Sequence, residues 1–253
     1  MPTTRKQIDA LVERLEPLLR KAFEKALDDW RNNIDLDALA AALVRGDIEA
    51  AVRAANIQPA ALNGFLTARE SAFELAGTAE LASLRLNIIF NARHLRGEQQ
   101  LAQYGAQFVQ GVTDDVKAML RTALTGSLSR GQGAKAAARS ILDMIGLTDT
   151  QAQWALNLRR KLEADPKALL TEFANDGYKL RDKRLDGIVR RAVADGKPIA
   201  QADIDKIVAA YKNRAIKWRA ENIARTETLS AVNTGKHEAY QQAVDSGKVA
   251  AQN

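Results

Sequence analysis

The sequence predicts an all-α protein, an elongated multi-helix chain with an N-terminal helical region and a C-terminal helical core that ends in a long helix. Three observations carry that reading. Apolar residues recur three and four positions apart through most of the chain, the spacing that lines one face of a helix. Aromatic residues are only 5% of the sequence although hydrophobic residues are 46%. Alanine therefore fills much of the apolar quota, and it is the strongest helix former and a poor strand former. Finally, only 5 prolines and 15 glycines interrupt 253 residues, and most of these fall beside residues that start or stop helices.

Taken in order, Thr4 to Arg31 carries Ile8, Leu11, Val12, Leu15, Leu18, Leu19, Phe23 and Leu27 at helical spacing. Pro17 within it predicts a kink or two abutting helices. Asp35 or Asp37 can cap a short helix ending near Gly46, and Asp47 can cap the next, which reaches Ala55. Pro59 opens a helix to about Ala76, where a first-turn proline is tolerated. Leu84 to Phe90 has strand-like character but is short enough to be a linker. The boundary between the N-terminal region (1–90) and the core (91–253) is expected between Asn91 and Thr113.

Thr113-Asp114-Asp115 reads as a helix start, because both acids favour the positive end of the helix dipole. That helix should run to about Thr125, with Gly126, Gly131 and Gly133 breaking it before a second helix over 134–145. Thr148 and Gln151 have capping-box spacing for a helix to Glu163. Asp165-Pro166 then supplies a cap and a first residue. Leu180 to Ala194 is amphipathic and stops at Asp195-Gly196-Lys197-Pro198. Ala202 to about Thr234 reads as the long final helix, and no internal repeat is evident.

The bulk numbers exclude several classes. With no cysteine there are no disulfides and no thiolate metal sites. Two histidines make a histidine metal cage a poor expectation, no apolar run approaches the ~20 residues of a membrane span, and no signal-peptide core opens the chain. The net charge of +6 is uneven: residues 1–111 hold 13 Lys+Arg against 14 Asp+Glu, and residues 112–253 hold 24 against 17. An acidic or polyanionic partner for the C-terminal part is the corresponding expectation.

Enzyme motifs fail on inspection. His237-Glu238 begins a zinc-protease pattern, but Gln241 stands where the second histidine would be. Gly131-Gln132-Gly133 lacks the preceding strand of a dinucleotide turn, and no phosphate-binding Gly-x-x-x-x-Gly-Lys-Ser/Thr loop occurs. No catalytic residue, cofactor or metal is expected. Over 180–194, Leu185, Ile188, Val189, Ala192 and Val193 gather on one side, and Lys183, Arg184, Arg190 and Arg191 gather on the other. These four cations are the candidate phosphate-contacting residues, against the plainer reading of a solvated outer face.

Lys212, Arg214, Lys217 and Arg219 form a second basic cluster. The nearby Tyr211 and Trp218 continue the series Ile204, Ile207, Val208, Ala215, which predicts core packing for both rings. Farther on, Ile216, Ala220, Ile223, Glu227 and Ser230 fall along one line. Glu227 should therefore be buried, and a buried carboxylate requires a partner, expected from Arg219, Arg225 or a cation on 117–139. Glu221 and Arg225 are ordered for an i,i+4 pair. Arg219, Glu221, Arg225, Thr226 and Glu227 are expected to form a structural polar network that fixes helix register.

The same run, Arg219-Ala220-Glu221-Asn222-Ile223-Ala224-Arg225-Thr226-Glu227-Thr228 followed by Asn233 and Gly235, resembles the signature of the phage Mu F-like head morphogenesis proteins. The likeness extends over about 111–247, through the Gly126–Gly133 turn, Gly146-Leu147-Thr148, Lys197-Pro198-Ile199, Tyr211 and Arg214. It implies a minor capsid protein of tailed bacteriophages at the portal vertex of the phage head, assembled in the host cytoplasm. Portal protein and capsid or scaffold proteins are its implied partners, in several copies around the portal and with no membrane during assembly. In some members packaged double-stranded DNA is contacted or its delivery and ejection aided. The near-neutral N-terminal helices are the candidate docking module. Family members usually continue into a segment with a tryptophan, an acid and an Arg-Thr-Arg…His element. This sequence stops at Gln252-Asn253, as a naturally short product or a fragment would, so roles attached to that segment are not carried over. The competing readings are a sequence-non-specific double-stranded DNA-binding protein and a nuclease or transferase.

Overall fold

The computed structural model describes residues 3–249; Gln252-Asn253 lie outside them. Ten α-helices and two short 3-10 turns account for the regular structure, with no strand among the described residues. The helices are α1 (Arg5–Asn33), α2 (Leu36–Val44), α3 (Ile48–Ala54), α4 (Asn63–Ser83), α5 (Leu95–Ser129), α6 (Ala134–Leu142), α7 (Asp149–Ala164), α8 (Pro166–Ala174), α9 (Asp186–Asp195) and α10 (Gln201–Asp245).

Local chemistry explains most of the helix ends. Asp35 accepts from the Asp37 and Ala38 amides at the head of α2, and Asp47 accepts from Ala50 N at the head of α3. Thr148 and Gln151 form the full capping box of α7. Asp165 accepts from Ala168 N with Pro166 in the first turn of α8, and Gly196 closes α9 in the left-handed region at φ 63°. Each device satisfies backbone groups that a helix end leaves open.

Two expectations fail, at Thr113 with Gly126 and over 180–194. α1 is one helix through Pro17 rather than two abutting ones. Pro17 and Glu13 are both exposed, so the Glu13 carbonyl that loses its donor faces water. Thr113 does not start a helix and Gly126 does not end one, because α5 runs through both. The helix-forming stretch over 95–112 overrides the local cap signal, and Thr113 is buried. Residues 180–194 are not one helix either: Asp182 accepts from Arg184 N and caps a 3-10 turn over Lys183–Leu185, and α9 begins only at Asp186. Leu84–Phe90 is a connection rather than a strand.

The chain forms two compact units, each discontinuous in sequence, rather than dividing at residue 90. The first comprises Met1–Asp29, Pro59–Val112 and Ala220–Asn253; the second comprises Trp30–Gln58 and Thr113–Arg219. In the first, Leu15, Leu19, Phe23, Phe65 and Phe73 are buried. Phe65 stacks on Phe108 at 4.7 Å between ring centroids and meets Phe23 edge-on at 5.9 Å. Gly235 of α10 lies against the backbone of α4, where a Cβ would come within 2.2 Å of the Phe73 carbonyl oxygen. The core of the second unit joins Leu158, Leu162, Leu169, Phe173, Tyr178, Val189, Ile204, Ile207, Val208 and Tyr211.

Candidate functional site

The signature residues of α10 were expected to form one polar network. They form separate contacts instead. Glu227 is buried, as its apolar neighbours along the helix predicted, with 5% of its surface exposed. Its partners come from elsewhere than expected. Arg69 Nε of α4 donates to Oε2 at 3.2 Å, and Tyr104 OH of α5 donates to Oε1 at 2.8 Å. The Arg69 guanidinium also lies 4.0 Å from the centre of the Tyr104 ring, and its Nη2 reaches Ser230 Oγ at 3.4 Å. Burial, and then the bond to Glu227, hold the Tyr104 phenol above its ordinary pKa. Both carboxylate oxygens are engaged, which makes the acid a brace between three helices of the first unit.

Arg69 and Tyr104 form part of the wall of a 460 Å³ cleft that also includes Gln100, Gln103, Gln107, Asn233 and His237. The three glutamines recur at i, i+3 and i+7 on α5, so their amides share one face. Glu227, bonded to both Arg69 and Tyr104, does not itself line the cleft.

About three α-helical turns farther along, a second buried acid repeats the pattern. Glu238 is fully buried; Arg96 grips it at 2.8 and 3.1 Å, and Gln242 Nε2 donates to it at 3.1 Å. Arg96 also reaches Asp245 at 3.1 Å, and these carboxylates push its pKa above the ordinary value for arginine. Sequence reasoning missed Glu238 because it was examined only as part of a metal motif. The signal lay in its spacing of seven residues, two helical turns, from the buried Ala231.

The other signature residues divide differently. Arg219 is buried in the second unit, where Nη1 donates to the Gly146 carbonyl at 3.1 Å and Nη2 to Asp115 at 2.7 Å. Burial pulls its pKa down and Asp115 acts in the opposite sense. Glu221 lies 3.6 Å from Arg20 in the first unit. Arg225 and Thr226 are exposed and take no part in bracing Glu227. Thr228 is fully buried, and its hydroxyl has no hydrogen-bond partner among the described residues.

The four candidate phosphate-contacting cations do not share a single helix face. Lys183 and Arg184 sit on the 3-10 turn, and Arg190 and Arg191 lie on α9. Arg184 bonds to Asp182 at 2.7 Å, and that contact, with Arg214 nearby, holds the Asp182 carboxyl down at about 2. Arg190 lies 3.9 Å from Asp186. Arg181, which the spacing left near this cationic face, is buried instead and bonds to Asp186 and the Gly177 and Phe173 carbonyls. All four candidates are exposed.

Among the described residues no group of three or more His, Cys, Asp or Glu side chains could hold a metal ion, and no helix is long and apolar enough to cross a membrane. Compared with protein-family models, with curated proteins and with solved structures, the chain matches none.

Proposed function

We propose that this chain is a minor head morphogenesis protein of a tailed bacteriophage, a non-catalytic part of the head at the portal vertex. Portal protein and capsid or scaffold proteins are its partners in this reading, in several copies. The observation that carries it is the role of the signature residues. Arg219 and Glu227, the charges at the two ends of the resembling run, are both buried in contacts within the fold. A motif spent on holding a helix in place suits a building part, whereas a catalytic motif would present its acid to substrate.

The test is co-purification with intact portal rings followed by imaging. Extra density at the portal vertex supports the reading, and failure to associate with either portal or head particles overturns it. The DNA-binding alternative draws on Lys183, Arg184, Arg190 and Arg191. Reversing all four to Glu should reduce retention of double-stranded DNA at low salt with the fold unchanged by circular dichroism. A steep salt dependence of DNA affinity without portal association would favour this alternative. Thermal stabilisation by a divalent metal would instead revive a nuclease or transferase.

A further inference from the structure

We propose that a groove of the first unit, apolar in part and negatively charged, is a docking site for a basic segment of another protein. That segment would lay lysine or arginine side chains along it. The groove has a volume of 400 Å³ and draws its lining from α4, from the connection after it and from the start of α5. Phe73, Ala92, Leu101 and Ala102 form the apolar part. Glu70, Glu74, Glu98 and Arg93 supply the charge.

These charges do not balance. Arg93 lies 3.5 Å from Glu98, so those two offset each other. Three carboxylates against one guanidinium leave two negative charges over, on Glu70 and Glu74. Both are exposed, and neither has an ion-pair partner among the described residues. Arg69 is the one cation in the sequence of α4, and it is turned away, with its Nε on Glu227 at 3.2 Å. Glu70 and Glu74 also stand at i and i+4 of the same helix, where like charges repel. A cation bound across them would relieve that repulsion.

Lysine and arginine suit both parts of this lining. Their methylene stems cover apolar surface while the charged heads reach carboxylates. The spacing fits as well. Residues four apart on a helix are separated by about 6 Å along its axis. Two side chains on one face of an extended segment, two residues apart, are separated by about 6.6 Å. A basic segment with alternate cations would therefore meet Glu70 and Glu74 together. A nucleic-acid backbone carries the same sign of charge and is repelled. Nor do the acids form a metal site, since no group of three such ligands could hold an ion among the described residues.

The experiment follows the fluorescence anisotropy of a labelled peptide, lysine alternating with alanine, mixed with the full chain at low salt. One companion peptide carries glutamate in place of lysine. Another carries diaminobutyrate, which keeps the charge on a shorter stem. The lysine peptide should bind about tenfold more tightly than the glutamate version and about threefold more tightly than the short-stemmed one. Glu70→Gln with Glu74→Gln should weaken it about five- to tenfold. These exposed acids brace nothing, so the melting temperature should not fall. Glu13→Gln with Glu24→Gln, which removes two exposed acids elsewhere on the first unit, should leave binding within about twofold. Ala102→Tyr, at an exposed position of the lining, should block the peptide with no change of charge. Equal losses in the two double variants would reduce the effect to diffuse attraction and overturn the proposal. So would equal binding of the short-stemmed peptide, full binding by Ala102→Tyr, or no binding of the lysine peptide. Salt-sensitive self-association that Glu70→Gln with Glu74→Gln abolishes would make the occupant a second copy and overturn it as well.

Discussion

Removing the Glu227 carboxylate is the most direct perturbation of the brace. In Glu227→Ala the Arg69 guanidinium keeps its place, since its side chain is 4% exposed, but loses its counter-charge. Breaking a buried ion pair by deleting one partner costs about 3–5 kcal/mol, because the remaining charge is left without compensation. The contacts of Arg69 with the Tyr104 ring at 4.0 Å and Ser230 at 3.4 Å are common to both proteins and cancel in the difference. The expected loss is therefore about 3–5 kcal/mol, or roughly 6–20 °C in melting temperature for a chain of this size. Urea titration followed by helical circular dichroism measures it. The companion variant Arg69→Met in the Glu227→Leu background removes both charges and should recover much of the loss, as apolar replacement of a buried pair commonly does. A Glu227→Ala midpoint equal to wild type, or a double variant whose loss equals the sum of the singles, would refute the brace.

Two further predictions concern packing and pH. Gly235→Ala should destabilise the first unit by about 1–3 kcal/mol or more, because the new Cβ meets backbone that cannot swing aside. Gly111→Ala, which has open space around its Cβ inside α5, should stabilise by about 0.5–1 kcal/mol, and equal melting shifts for the two alanines would contradict the close approach. The Asp182 carboxyl is held at about 2 against an ordinary 3.8. A depressed carboxylate contributes stability that is complete above about pH 4 and lost as pH falls through about 2. The stability difference between wild type and Asp182→Asn should therefore be constant from neutral pH down to about 4 and shrink below it. A difference that stays constant to pH 2, measured by denaturant titration, would exclude the Arg184 contact as its source.

How much of this was legible in the sequence depends on the range of the interaction. Caps are local, so Asp35, Asp47, Thr148 with Gln151 and Asp165 could be read directly and stand where expected. Helical periodicity also placed Glu227 among buried positions. Its partners could not be read, because Arg69 and Tyr104 lie 158 and 123 residues away. No local pattern encodes which cation a fold will bring to an acid. The failures at Thr113 and Gly126 have the opposite cause: strong local stop and start signals yielded to a longer helical context in α5. At Trp218 the ring is 49% exposed although Ala215, Arg219 and Ala220 around it are buried, so the covered face of the helix there is not the one that the apolar stripe marks.

The buried charges of α10 also answer a question that its apolar residues leave open. Ala215, Ala220, Ala224, Ala231, Ala239 and Ala243 are fully buried along this 45-residue helix. Alanines allow close approach but specify little, since a slip of three or four residues would set one alanine in the place of another. The charges do not tolerate such a slip. Moving α10 by one turn within the first unit would take Glu227 from Arg69 and Glu238 from Arg96, leaving buried ions without partners. Each would cost several kcal/mol, more than the difference between one alanine contact and the next. Gly235 adds a steric lock at the Phe73 backbone. The alanines thus bring α10 close to its neighbours, and the acids and the glycine decide the register. This is why the most specific part of the sequence lies on a helix whose apolar content is among the least distinctive.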